Sequence, residues 1–136
     1  MNIAFFLLPK GEVVCLPHDA TLRQALERME YHRYTAVPII NHEGEYVGTI
    51  TEGDLLWFMK SRPDLTFEGT NKVRIGDVPL RLNNRTVNID ANMDDLISLA
   101  KVQNFVPVVD DRNHFIGIVR RSEIIDYCQK GLSQKV

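Results

Sequence analysis

The stretch GTITEGDLL, Gly48–Leu56, decides the fold, because it reads as a β-strand that runs directly into an α-helix. It returns as GIVRRSEII, Gly117–Ile125, in which the apolar positions are kept and the polar ones change. A repeat on this scale predicts two supersecondary units of the same kind. At the strand-to-helix junction, Thr51 and Asp54 of the first copy correspond to Arg120 and Glu123 of the second.

Around the first junction, the order strand-helix-strand-strand-helix is predicted. A short strand over residues 13–16 precedes a helix for which Thr21 and Gln24 form a capping box. The run AVPII, residues 36–40, is a strand broken by Pro38, which belongs at an edge, a bulge or a strand start because proline cannot donate a ladder hydrogen bond. Residues 41–44 carry turn chemistry, so the strand over residues 46–50 returns as the second arm of a hairpin, and Thr51 can cap the helix that follows.

The second half repeats this order. Asn92 is the predicted cap of its first helix, residues 105–109 form its proline-broken strand, and the last helix is predicted over about 122–129. The fold class is therefore α/β (α+β), with two βαββα repeats. The predicted division is repeat 1 over residues 1–62, a linker over 63–72 and repeat 2 over 73–136.

Composition bounds the function classes. The chain has 136 residues, of which 44% are hydrophobic and 25% charged, as in an ordinary soluble globular protein. A net charge of −2 gives no electrostatic footprint for nucleic acid or an anionic membrane. The apolar run over residues 3–8 is too short for a membrane span and lacks the basic leader of a signal peptide. We expect a cytoplasmic protein that binds neither nucleic acid nor membrane.

No catalytic or metal-binding motif accompanies the repeat. The four histidines show neither i,i+4 nor H-x-H spacing, and the two cysteines, Cys15 and Cys128, lack CxxC spacing. A nucleophile elbow, a P-loop and a GxGxxG motif are all absent from the sequence. We therefore expect a protein that is not an enzyme and has no metal site or cofactor.

The ordered set of motifs resembles a tandem pair of CBS domains, often called a Bateman module. The first copy contributes DATL at 19–22, VPII at 37–40, VGTIT at 47–51 and DLL at 54–56; the second contributes VPVV at 106–109 and FIGIV at 115–119. The resemblance covers nearly the whole chain. It implies pseudo-twofold packing of the repeats, a homodimer, and an inter-repeat cleft that accepts adenine nucleotides.

The same resemblance implies which residues contact the ligand. In the first copy these are Val14, Tyr34, Thr35, Ala36, Pro38, Ile50, Thr51 and Asp54, and in the second they are Phe105, Pro107, Arg120, Arg121 and Glu123. A carboxylate that accepts ribose hydroxyls and a helix N-terminus that favours phosphate suit this assignment. A bland alternative stays open for each group: Thr51 and Asp54 as a plain helix cap, and Tyr34 and Phe105 as core aromatics.

The second copy departs from the pattern, because Arg120 replaces the expected threonine and Glu123 the expected aspartate. Two guanidinium groups at a helix start suit phosphate oxygens. The pair is similar to that of stand-alone CBS proteins that bind cyclic di-AMP and then change their contact with a target enzyme. The alternative is a solvated cationic pair that bridges to Glu123 or Asp126.

These patterns favour a non-catalytic sensor that binds AMP, ATP or cyclic di-AMP as a regulatory ligand and signals its occupancy to a target protein. Such signalling requires the ligand to bind one arrangement of the chain better than another. The competing interpretation is a structural module that dimerises and docks a partner without any small ligand.

Overall fold

A computed structural model describes residues 2–134, in two compact units. The central unit spans Val14–Asn83, and the terminal unit joins the chain up to Val13 with the chain from Asn84 onward. The predicted repeat boundaries at 62 and 73 follow the order of motifs along the chain and stay a prediction. The compact units divide the chain elsewhere.

The central unit contains a three-stranded sheet in the order β2-β3-β4, with helices α1 and α2. The bounds of these elements are β2 Leu16–Pro17, α1 Leu22–His32, β3 Ala36–Ile40, β4 Tyr46–Thr51 and α2 Glu52–Ser61. Strand β3 runs parallel to β2 and antiparallel to β4. The predicted hairpin is confirmed, whereas β2 starts later than the predicted strand.

The terminal unit contains a four-stranded sheet in the order β1-β7-β6-β5, with helices α3 and α4. The bounds are β1 Leu8–Pro9, β5 Val87–Asn88, α3 Met93–Ala100, β6 Phe105–Val109, β7 Phe115–Arg120 and α4 Arg121–Gln134. The α/β class and the βαββα order of both repeats are confirmed. Helix α4 starts one residue earlier and ends five residues later than predicted.

Each unit has its own apolar core. The fully buried side chains of the central core include Leu16, Leu22, Val37 and Ile50. Those of the terminal core include Ile3, Leu96, Val106, Val108 and Val119. Burial of side chains from both faces of each sheet explains why the proline-broken strands read as continuous apolar runs.

Three helices begin at reciprocal capping boxes, in which the cap side chain accepts from the third helical amide and the third side chain accepts from the cap amide. The pairs are Thr21 with Gln24, Thr51 with Asp54, and Asn92 with Asp95. Each arrangement satisfies two amides that a helix start otherwise leaves without an intrahelical partner. The three predicted cap residues are confirmed.

The predicted linker over residues 63–72 is partly structured. A 3-10 helix occupies Glu68–Lys72, Thr70 is buried, and Leu65 and Val73 pack against the central core. Its polar composition concealed this contribution, because a few well-placed apolar side chains are enough to hold such a segment against a core.

Candidate functional site

The central unit leaves one side of β3 open beside the start of α2. Strand β2 pairs with β3 only at Ile39 and Ile40, so the ladder on that side does not extend to Ala36–Pro38. Proline at position 38 suits this place, because no donor is needed from it. Pro38 lies within the middle strand of the sheet, and β3 has an edge only locally, where β2 has not yet begun.

Thr35, Ala36 and Thr51 lie together at the start of β3, with Thr51 on the side of β4, across β3 from the open side. Ala36 lies directly opposite Thr51 in the β3-β4 ladder, and the amide of Glu52 donates to the Thr35 carbonyl at 3.0 Å. Thr35 is exposed and Ala36 and Thr51 are half-buried. Backbone groups of a strand and the hydroxyl at a helix N-terminus are thus presented side by side.

Asp54 has a different environment from its neighbours, because only 1% of its surface is exposed. One carboxylate oxygen accepts from the Thr51 amide at 2.9 Å, and the other accepts from the Arg81 amide at 2.9 Å. Its oxygens therefore already serve two backbone donors. Arg81 was missed at the sequence level, and no local pattern marks a contact between residues 27 positions apart.

The remaining first-copy residues divide by burial. Ile50 is fully buried and Pro38 is buried, while Val14 is half-buried and packs against the core. Tyr34 is 46% exposed, and its ring stacks on His32 with a centroid distance of 5.4 Å and an interplanar angle of 14°. Tyr34 is therefore a surface aromatic rather than a core aromatic.

The second-copy junction, in the terminal unit, is held by backbone contacts. The amide of Arg121 donates to the Asn104 carbonyl at 2.9 Å, and its Nε donates to the Gln103 carbonyl at 2.9 Å. Arg120 lies opposite Phe105 in the β6-β7 ladder and forms an exposed ion pair with Glu123 at 3.1 Å. Phe105 and Pro107 are buried, so Phe105 is a core aromatic.

Gln103 is a second residue that sequence reasoning missed. Its side chain is 3% exposed; Oε1 accepts from the Arg85 amide at 2.7 Å, and Nε2 donates to the carbonyls of Arg85 and Phe105, each at 3.1 Å. A buried amide that meets backbone donors and acceptors in this way replaces missing ladder partners. It fixes the chain next to the open side of β6, where β5 pairs only with Val108 and Val109.

Residues 2–134 contain no cluster of three or more His, Cys, Asp or Glu side chains suited to a metal ion. Within the same range, no helix combines the length and apolarity needed to cross a membrane.

Two repeats, each with a proline-broken strand beside a strand-to-helix junction, define a tandem α/β repeat module. The chain belongs to the CBS domain family, whose model matches residues 8–61 and 75–130. The tandem CBS resemblance seen in the sequence is confirmed.

Similar proteins share the fold over nearly the full chain. A CBS domain-containing protein of Dictyostelium discoideum is 28% identical over 120 residues, which cover 84% of this chain and 83% of that protein. Listeria monocytogenes CbpB in complex with c-di-AMP superimposes with a TM-score of 0.82 at 20% identity, covering 97% of this chain and 98% of the other. CBSX2 in complex with AMP gives 0.74 at 21% identity, covering 95% and 96%.

Proposed function

We propose that this chain is a non-catalytic regulatory module that binds an adenine nucleotide and transmits its occupancy to a target protein in the cytoplasm. The observation that carries the proposal is the open side of β3 beside the Thr51-capped start of α2. Solved relatives of the same fold hold c-di-AMP or AMP, which supports this ligand class.

The first-copy residues suit different parts of a nucleotide. Backbone groups over residues 35–38 that point away from β4 can read the edge of an adenine, because β2 does not extend far enough to pair with them. The start of α2 favours phosphate through its amides and its dipole. Since both Asp54 oxygens serve amides, we assign the ribose contact to the Thr51 hydroxyl and treat Asp54 as the group that positions Thr51.

The second-copy residues suit phosphate. Arg120 is exposed, and its ion pair with Glu123 is of a kind that contributes little energy, so a phosphate oxygen can replace the carboxylate. The Nε of Arg121 donates to the Gln103 carbonyl, while the remaining guanidinium nitrogens carry further donors. A ligand with two phosphates, such as cyclic di-AMP, suits two arginines better than AMP does.

Calorimetric titration with AMP, ATP, S-adenosylmethionine and cyclic di-AMP tests the proposal. We expect Arg120→Gln to weaken binding of the phosphate-rich ligand by about ten- to a hundredfold, since a charged hydrogen bond is worth about 1.5–3 kcal/mol. Thr51→Val should weaken binding of every ligand, whereas Thr51→Ser, which keeps the hydroxyl and the cap, should not. Failure of all four ligands to bind at millimolar concentration would refute the nucleotide proposal.

A second candidate function is a ligand-free module for dimerisation or partner docking. A groove of about 740 Å³ lies between α1 and α2 of the central unit; its apolar residues are Leu26, Met29, Leu55, Leu56 and Met59, and Glu30, Arg33, Tyr34 and Glu52 complete its lining. Leu56 is 56% exposed there, as an interface residue would be in the free chain. Sedimentation of the wild type and of Leu56→Glu tests this function, because a homodimer should dissociate in the variant. A melting temperature that does not change when nucleotides are added would favour this function over nucleotide binding.

A further inference from the structure

A small cavity in the central unit is distinct from the junction just described. It has a volume of about 280 Å³ and lies where the side of α2 faces the chain over residues 77–81. Trp57, Phe58, Arg62, Asp77 and Arg81 line it, together with Asp54, Ser61 and Pro79. Asp54 is its one residue in common with the proposed nucleotide contacts, and both Asp54 oxygens accept from backbone amides.

Two guanidinium groups are held at this cavity by aromatic rings. Cζ of Arg81 lies 5.1 Å from the Trp57 ring centroid, and Cζ of Arg62 lies 4.9 Å from the Phe58 ring centroid. Both distances are within the range of cation-π attraction, which limits the rotamers of these long side chains. The Arg81 backbone is fixed as well, through its amide bond to Asp54.

The charges at the cavity are not balanced by ion pairs. Over residues 2–134, no carboxylate oxygen lies within ion-pair distance of Arg62 or Arg81, although Asp77 lines the same cavity. Both oxygens of Asp54, the other acid of the lining, already accept from backbone amides, those of Thr51 and Arg81. Neither guanidinium group is paired with Asp54 or Asp77, so both keep hydrogen-bond donors for a ligand that carries negative charge.

We propose that this cavity binds a small oxyanion, a phosphate or a carboxylate, with Arg62 and Arg81 as its cationic groups and Trp57 as its wall. Guanidinium donors match both kinds of oxyanion in a planar, bidentate geometry. Two cations lie near the Trp57 ring, and only one of them belongs to the cavity. Arg81 lines the cavity, whereas Lys60, whose Nζ is 5.4 Å from the ring centroid, does not.

Trp57 supplies the measurement, because it is the only tryptophan of the chain. The fluorescence of the full chain is titrated with inorganic phosphate and with malonate, against sodium chloride at equal ionic strength. We expect a saturable change that chloride does not reproduce. A response to phosphate alone identifies a phosphate site, and a response to both probes identifies a general oxyanion site.

The variants Arg62→Gln and Arg81→Gln should each weaken the response by about tenfold. Lys60→Gln is the matched control, since it removes a cation from the Trp57 ring but not from the cavity, and its response should match the wild type. Arg81→Gln keeps the backbone amide that binds Asp54, and circular dichroism checks the fold of all three variants.

The result that overturns the site is an absence of any saturable change with either probe, or a response that both arginine variants retain. Calorimetry with AMP separates this outcome from failure of the proposed function. Arg62→Gln should leave AMP affinity unchanged if the two sites are independent. A loss of AMP affinity in this variant would instead make the cavity part of the nucleotide site and overturn a separate oxyanion site.

Discussion

At the scale of single residues, Asp54 joins a helix start to a distant segment of the chain. Its two oxygens accept from the amides of Thr51 and Arg81, each at 2.9 Å. Because the side chain is almost wholly buried, bulk water does not reach the two amides that it accepts from. The residue that looks like a ribose ligand in the sequence therefore also has a structural role.

Asp54→Ala should lower the free energy of unfolding by about 1–3 kcal/mol, because it leaves two amides without their acceptor. Urea denaturation measures the change. Asp95→Ala is the matched control, since Asp95 closes the same kind of capping box on α3 but is exposed, with the Asn92 amide at 3.4 Å. An equal loss in the two variants would show that the Arg81 contact contributes nothing.

Asp110 gives the turn between β6 and β7 a dependence on pH. One oxygen of its carboxylate accepts from the amides of Arg112 and His114, both at 2.9 Å. The hydrogen bond from the His114 backbone is the largest cause that lowers the pKa of Asp110 below its ordinary value. A lowered pKa means that the folded state binds this proton less readily than the unfolded state does.

The stability due to Asp110 is therefore present above the unfolded pKa and lost as the pH falls through the folded pKa. Urea midpoints of the wild type and Asp110→Asn, compared from neutral to acid pH, should differ at neutral pH and converge in acid. Asp111→Asn, which alters an exposed neighbour, is the control. Curves that stay parallel across this range would contradict the assignment.

At the scale of elements, β1 completes the terminal sheet through a close backbone contact. Leu8 and Pro9 pair with Ile118 and Gly117 of β7. A Cβ atom at position 117 would lie 2.2 Å from the Leu8 carbonyl oxygen, and the φ angle of Gly117 is +156°. Both the space and the backbone conformation require glycine there.

Gly117→Ala should separate β1 from β7 and lower the melting temperature by several degrees, since the clash is with backbone and cannot be relieved by a side-chain rotation. Gly131→Ala is the control: it lies in α4, a Cβ there meets nothing within 4 Å, and alanine is the better helix former. The two variants should therefore shift the melting temperature in opposite directions. A neutral Gly117→Ala would mean that β1 is dispensable.

Elements with local signals could be predicted from the sequence. The caps Thr21, Thr51 and Asn92 were visible because a capping box lies within four residues. The pairing of β1 with β7 was not, because it joins residues more than 100 positions apart and leaves no pattern in either strand. For the same reason the contacts of Arg81 and Gln103 emerged only from the structure. The polar residues at the two strand-to-helix junctions, in contrast, were visible in the sequence.

At the scale of the whole molecule, the N-terminal segment belongs to the unit that also contains the C-terminal half. Ile3 is fully buried in the terminal core, and the rings of Phe6 and Tyr127 meet edge to face at 5.5 Å. Ile3–Phe6 forms a 3-10 helix, and so does Ile75–Asp77, the segment that comes before the second repeat; Ile75 is buried in the central core. The segment that precedes the first repeat therefore packs in the terminal unit, and the segment that precedes the second repeat packs in the central unit.

This exchange predicts which unit responds to a change at the N-terminus. Ile3→Ala should cost about 2–5 kcal/mol, because it opens a cavity in a well-packed core. Hydrogen exchange should accelerate in β6 and β7 of the terminal unit more than in β3 and β4 of the central unit, since local opening follows the core that has been weakened. Phe5→Ala, at a side chain that is 80% exposed, should change neither. Faster exchange confined to β3 and β4 would show that Ile3 supports the central unit instead.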